Sequence, residues 1–112
     1  MKPNITNRRK AILAEHSGDY ELANSLLNDD DPKVRGAALS SLEKLGQLSE
    51  KILEKSICDH SAEVRKRAVE LLAKRPEPIP LNVLKDKDPL VVETACWALG
   101  EKESSTSESI KQ

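Results

Sequence analysis

Three stretches of this chain repeat one pattern: Asp31-Pro32-Lys33-Val34-Arg35-Gly36-Ala37-Ala38-Leu39, Ser61-Ala62-Glu63-Val64-Arg65-Lys66-Arg67-Ala68-Val69 and Asp88-Pro89-Leu90-Val91-Val92-Glu93-Thr94-Ala95-Cys96. Each opens on a helix-capping residue, continues with Pro or Ala, and sets a Val and then an Ala four residues apart. Ala38, Ala68 and Ala95 are separated by 30 and 27 residues. A recurrence of that length marks a stack of similar units, none of which buries its apolar face alone. Composition agrees: 33% of residues are charged, 2% are aromatic and Phe is absent. Ala, Leu, Ile and Val must build the interior, which suits closely packed helices better than a sheet.

Each copy predicts a helix with one apolar face. In copy one Asp31 caps, Pro32 takes the first helical position, Val34, Ala38, Leu42 and Leu45 follow at helical spacing, and Gly46 ends the run. Copy two uses Ser61, then Val64, Ala68, Leu71 and Leu72, stopped by Pro76; copy three uses Asp88 and Pro89, then Val91, Ala95, Ala98 and Leu99. A shorter apolar helix precedes each one, through Tyr20, Leu22, Ala23, Leu26 and Leu27, then Leu48, Ile52, Leu53 and Ile57. The third is squeezed between Pro80 and Asp86, and Pro76-Glu77-Pro78-Ile79-Pro80 forbids helix, so it shrinks to about one turn. Residues 5–16 fit the same frame as a capping helix, with Arg8 in the place of Arg35 and Arg65. The resulting layout is a single repeat domain over 1–101, with the cap at 5–16 and repeats at about 19–46, 48–76 and 80–101. Residues 102–112, rich in Ser and charge, are expected to be a disordered tail.

The Asp-Pro-x-Val-Arg-x-x-Ala motif, with Leu four residues after the Ala, resembles HEAT-like repeats, most closely the short kind of the phycobilisome-lyase-type group. The resemblance spans about residues 5–101. It implies an all-α, right-handed α-solenoid of about three helical hairpins behind an N-terminal capping helix. In that family the turn acid and the Arg after the Val tie neighbouring repeats together. Asp31, Arg35, Arg65 and Asp88 match those positions, whereas Ser61 replaces an acid and Val92 replaces an Arg.

The residues argue against catalysis. Two histidines and no His-Glu dipeptide are too few for the di-iron sites of HEAT-like hydroxylases, and one Trp and one Tyr make a poor base-stacking platform. Cys58-Asp59-His60 has metal-ligand chemistry but lacks a fourth ligand and the usual paired spacing. Cys58 and Cys96 are expected to be small, buried, reduced thiols. No cofactor, metal or membrane partner is expected, and the chain reads as soluble and cytoplasmic.

The face opposite the core stripe is the candidate binding surface, because second helices line the concave side of HEAT-like stacks. Gly36 and Ser40, Lys66 and Glu70, and Glu93 and Trp97 occupy matching positions there; Lys33, Ala37, Lys44, Arg67 and Lys74 extend it. Lys33, Lys66, Arg67, Glu70, Lys74, Glu93 and Trp97 are the partner-binding candidates. Trp97 has two readings, an interface anchor or a cover over the exposed end of the last repeat that shields Leu99 or Cys96. The function expected is a non-catalytic protein–protein interaction or scaffold module. Alternatives are an accessory subunit of a chromophore-lyase-type enzyme, or nucleic-acid binding through the basic Arg65–Arg75 helix, although a formal charge of −1 argues against nucleic acid. Glu63 and Glu70 are spaced to pair with Arg67 and Lys74. Loss of the Arg at Val92 and Cys96 in an apolar slot also suggest weak homodimerisation through the C-terminal repeat end.

Overall fold

In a computed structural model of the protein, which describes residues 20–110 and the side chains of 20–104, every regular element is helical. The chain divides into two compact units, Met1–Lys55 and Ser56–Gln112. The physical origin is the repeat itself, since each copy makes its contacts locally along the chain. The expected capping helix at 5–16 lies outside the described residues.

In the first unit, α1 spans Tyr20–Ser25 and tightens into a 3₁₀ turn at Leu26–Asn28, and α2 spans Pro32–Lys44. Leu26, Val34 and Ala38 form a buried cluster against which Leu22, Leu27 and Ala37 pack. Each large aliphatic side chain buried this way contributes about 1.5–3 kcal/mol. Asp31 caps α2, its carboxylate accepting from the Lys33 N–H at 2.9 Å, with Pro32 at the first helical position. The helix ends in a Schellman turn: the Gly46 N–H donates to the Glu43 carbonyl (3.0 Å) and the Gln47 N–H to the Leu42 carbonyl (2.9 Å). Gly46 sits there at φ 72°, where a Cβ is strained. Gly36 and Ala37, expected on the outer face, are instead buried and half-buried; Ala37 belongs to the α1-facing cluster. The boundary between the units falls within α3, Glu50–Ile57, whose Leu53 is buried.

The second unit holds α4 (Ala62–Leu72), a 3₁₀ turn at Leu81–Lys85 and α5 (Pro89–Ile110). Both α4 and the 3₁₀ turn pack on α5. Val64, Ala68, Val69 and Leu72 of α4 are buried, as are Val83 of the turn and Val91, Ala95 and Ala98 of α5. Ala38, Ala68 and Ala95, the residues that define the repeat, are all fully buried. Ala suits that position because it loses no side-chain entropy in a helix and lets neighbouring backbones approach. The first helix of copy three is one 3₁₀ turn, as the proline run dictates. α4 stops at Leu72, four residues before Pro76, after which N–H groups of Ala73, Lys74 and Arg75 reach back three or four residues.

Where a loose tail from residue 102 was expected, α5 continues to Ile110. Gly100 lies inside the helix without positive φ, and the Lys102 ammonium donates to the Arg75 carbonyl, pinning the next turn to the end of α4. Nothing lies within 4 Å of a Cβ built on Gly100. Gly100→Ala is therefore expected to stabilise the protein by about 0.5–1 kcal/mol. Gly46→Ala, which forces a Cβ into the left-handed region, is expected to destabilise it by about 1 kcal/mol or more. Urea unfolding of both variants checks the pair; equal effects would contradict the assignment of the two glycines.

Candidate functional site

Two features compete for the role of site: the turns that join the repeats and the outer faces of the second helices. The turns are built alike in all three copies by an Asp two residues before the cap. The Asp31 N–H donates to Asp29 Oδ1, the Ser61 N–H to Asp59 Oδ1 and the Asp88 N–H to Asp86 Oδ1, each at 2.9 Å. The cap that follows is interchangeable. Asp31 and Asp88 accept from Lys33 and Leu90 N–H groups, whereas the Ser61 hydroxyl makes no capping bond.

The Arg after the Val then locks the turn from inside its own copy. Arg35 Nη1 donates to the Asp29 and Asp30 carbonyls at 2.7 and 3.1 Å, and Arg65 Nη1 to the Asp59 and His60 carbonyls at 2.8 and 3.2 Å. Arg65 also reaches the next copy. Its Nε donates to Asp86 Oδ2 (2.8 Å) and its Nη2 to Asp86 Oδ1 (3.1 Å), a two-pronged ion pair with side chains only 8% and 11% exposed. The acid that Arg65 reaches is thus Asp86, not the cap Asp88 expected from the sequence, and Asp59 holds the same register position in copy two. Ser61 therefore replaces only a cap. The sequence signal was present, since Asp29, Asp59 and Asp86 recur in register.

This ladder removes two residues from the expected basic surface. Arg65 is consumed by the turn and by Asp86, and Arg75 pairs with Glu77 at 3.0 Å, holding that carboxyl below the usual range. Cys58-Asp59-His60 is likewise committed, the Asp59 carboxylate to Ser61 and the two carbonyls of Asp59 and His60 to Arg65. Both cysteines, expected to be buried, are exposed. Cys58 falls in the turn just after α3, and Cys96 occupies the slot that Leu39 and Val69 fill in copies with another copy after them.

The outer faces carry the remaining candidates. Lys33 is exposed in the first unit. On α4, Lys66 pairs with Glu70 at 2.9 Å and Arg67 with the same carboxylate at 3.8 Å, the base preceding the acid in both, in place of the acid-first pairs Glu63–Arg67 and Glu70–Lys74 that the spacing allows. Lys74, just beyond the end of α4, is exposed. On α5, Glu93 is exposed, Trp97 is 46% exposed and Leu90, one further turn back, is 57% exposed. Cys96 beside the indole is open to solvent, so Trp97 does not cover that thiol.

A chain whose described residues form only helices, and whose three copies start their second helices from the same Asp-closed turn, is a helical repeat protein of the α-solenoid class. The family model described as HEAT repeats matches residues 20–86, and the chain belongs to that family. No curated protein and no solved structure matches it. HEAT repeats generally mediate protein–protein interaction or scaffolding. No helix among the described residues is long and apolar enough to cross a membrane.

The Arg65–Asp86 pair sets a pH dependence. The Arg65 hydrogen bonds hold the Asp86 carboxyl below its ordinary range, so the pair's contribution is complete above about pH 4 and is lost as pH falls through the lowered value. Asp86→Asn is expected to flatten this acid limb of the stability curve. Arg65→Ala, which leaves a nearly buried carboxylate unpaired, is expected to destabilise by about 3–5 kcal/mol. Denaturant melts at pH 3 and pH 7 check both. An Arg65→Ala cost below about 1 kcal/mol, the scale of an exposed pair, would contradict the ladder.

Proposed function

We propose that the protein is a non-catalytic interaction module that holds a partner polypeptide against the outer faces of α4 and α5, with Lys66, Arg67, Glu70, Lys74, Glu93 and Trp97 as contact residues and Lys33 as a further candidate in the first unit. The observation that carries the reading is Trp97. The chain spends its single Trp on a helix position where the indole is 46% exposed, in a protein whose core is aliphatic. Large aromatic groups half out in solvent are characteristic of interface anchors, where Trp contributes disproportionately to affinity.

The geometry favours protein over nucleic acid. Arg65 and Arg75 are engaged internally, and Lys66 and Arg67 converge on Glu70, so the basic helix presents a mixed-charge face rather than a phosphate-tracking one. The family context supports a non-catalytic role, because its repeats supply extended packing surfaces.

The experiment is affinity capture with the whole chain and with Trp97→Ala, read by mass spectrometry alongside a circular dichroism melt. The expected outcome is loss of a defined set of bound proteins with a stability change below about 0.5 kcal/mol, the usual scale for an exposed position. Unfolding of the Trp97→Ala variant would instead make the indole structural and sink the anchor reading.

A further inference from the structure

Resting on the interaction reading above, we propose that the outer face of α5 is a receptor for a cationic amphipathic segment of a partner polypeptide, with apolar side chains seated on Leu90 and Trp97 and Lys or Arg side chains on Glu93 and Glu101. The register of α5 puts these four residues together. Leu90, Glu93, Trp97 and Glu101 are spaced three, four and four residues apart, which aligns them along one side of a helix. The opposite side carries the buried Val91, Ala95 and Ala98. Glu93 and Glu101 therefore stand one turn below and one turn above the indole, about 6 Å along the axis in each direction.

The charges on this face are unmet. Glu93 and Glu101 are both exposed, and neither makes an ion pair among the described residues. Three carboxylates elsewhere in the same unit do have cations, Glu70 from Lys66 and Arg67, Glu77 from Arg75 and Asp86 from Arg65. The α4 cations beside this face are thus already engaged, and the free demand on α5 is for positive charge. An indole between two carboxylates answers the same demand, because its negative π-face attracts a Lys or Arg within about 6 Å. Leu90 and Trp97 together supply two apolar contacts two turns apart, the spacing at which an amphipathic helix presents its own anchors. Charge complementarity accordingly selects a basic, apolar-striped segment over an acidic one.

The test uses the full chain and two synthetic probes of about 18 residues, or five helical turns. One has Leu along one face and Lys on the other; its counterpart has Glu in place of each Lys. Trp97 is the only Trp, so its emission reports the site directly. The expected result is a blue shift with the Lys probe and affinity about tenfold or more above that for the Glu probe, weakening with salt. The double variant Glu93→Lys with Glu101→Lys should reverse the preference, and Trp97→Ala should weaken binding of the Lys probe, measured calorimetrically, about tenfold.

Equal affinity for both probes, or preference for the Glu probe, would overturn the cationic assignment while leaving Trp97 as a protein-binding anchor. Failure of both probes to shift the emission would overturn the assignment and count against the anchor reading itself. A blue shift that grows with the concentration of the chain alone, confirmed by light scattering, would make a second copy the occupant and overturn the proposal.

Discussion

The second unit depends on one guanidinium. Arg65 is nearly buried, and its donors are shared among two carbonyls of its own turn and both oxygens of Asp86 in the next copy. Burying an ion pair is costly, and such pairs are often no better than a well-packed apolar substitute. What this one provides is definition. The planar fork matches a carboxylate in only one orientation, so it fixes where copy three begins relative to α4. Aliphatic packing between Ala-, Val- and Leu-lined helices tolerates sliding; a bidentate pair anchored on a capped turn does not.

Asp86 takes part in two structures at once. Its Oδ1 accepts from the Asp88 N–H, closing the turn that starts α5, while both oxygens receive Arg65. Helix initiation in one copy is thereby coupled to docking by the previous one. The cap itself carries less of the load, which is why Ser61 can stand where Asp31 and Asp88 stand without a side-chain bond to the helix. The resources of the turn are spent locally and leave the outer helix faces free to diverge. They do diverge, with a mixed-charge ridge on α4 and an acidic, Trp-bearing ridge on α5.

Much of the fold was legible because its determinants are local. Capping residues, the Val-Ala-Leu period, Gly46 and the proline run report on their own neighbourhoods, and the helices they predict lie where expected. The ladder acid was readable as a recurrence but was assigned to the cap, because Asp-Pro at a helix start is the louder signal. Burial of Arg65 and the pairing of Arg75 could not be read, since a run of basic residues on one helix looks the same whether solvated or committed. The exposure of Cys96 is of the same kind, because a small residue in an apolar slot is buried only if something covers it. The contact of Lys102 with the Arg75 carbonyl, just past Gly100 on α5, is likewise one that no periodicity announces. Of the candidate site, the positions of Lys66, Glu70, Glu93 and Trp97 on their helices were legible, whereas the choice of partners on α4 was not.

The ladder is also directional. The tie in the second unit runs from Arg65 of copy two forward to Asp86, which precedes the helix of copy three. Copy two has both Asp59 and Arg65, and copy three has Asp86 with Val92 where the Arg would stand. Asp59 and Asp86 are 27 residues apart and in register. A tandem duplication of residues 59–85 would thus present Arg65 with a new Asp59 in the place of Asp86, and the inserted Arg with the original Asp86. The Arg–Asp tie at that point can be copied together with the module that carries it, whereas Val92 offers no guanidinium for a further one.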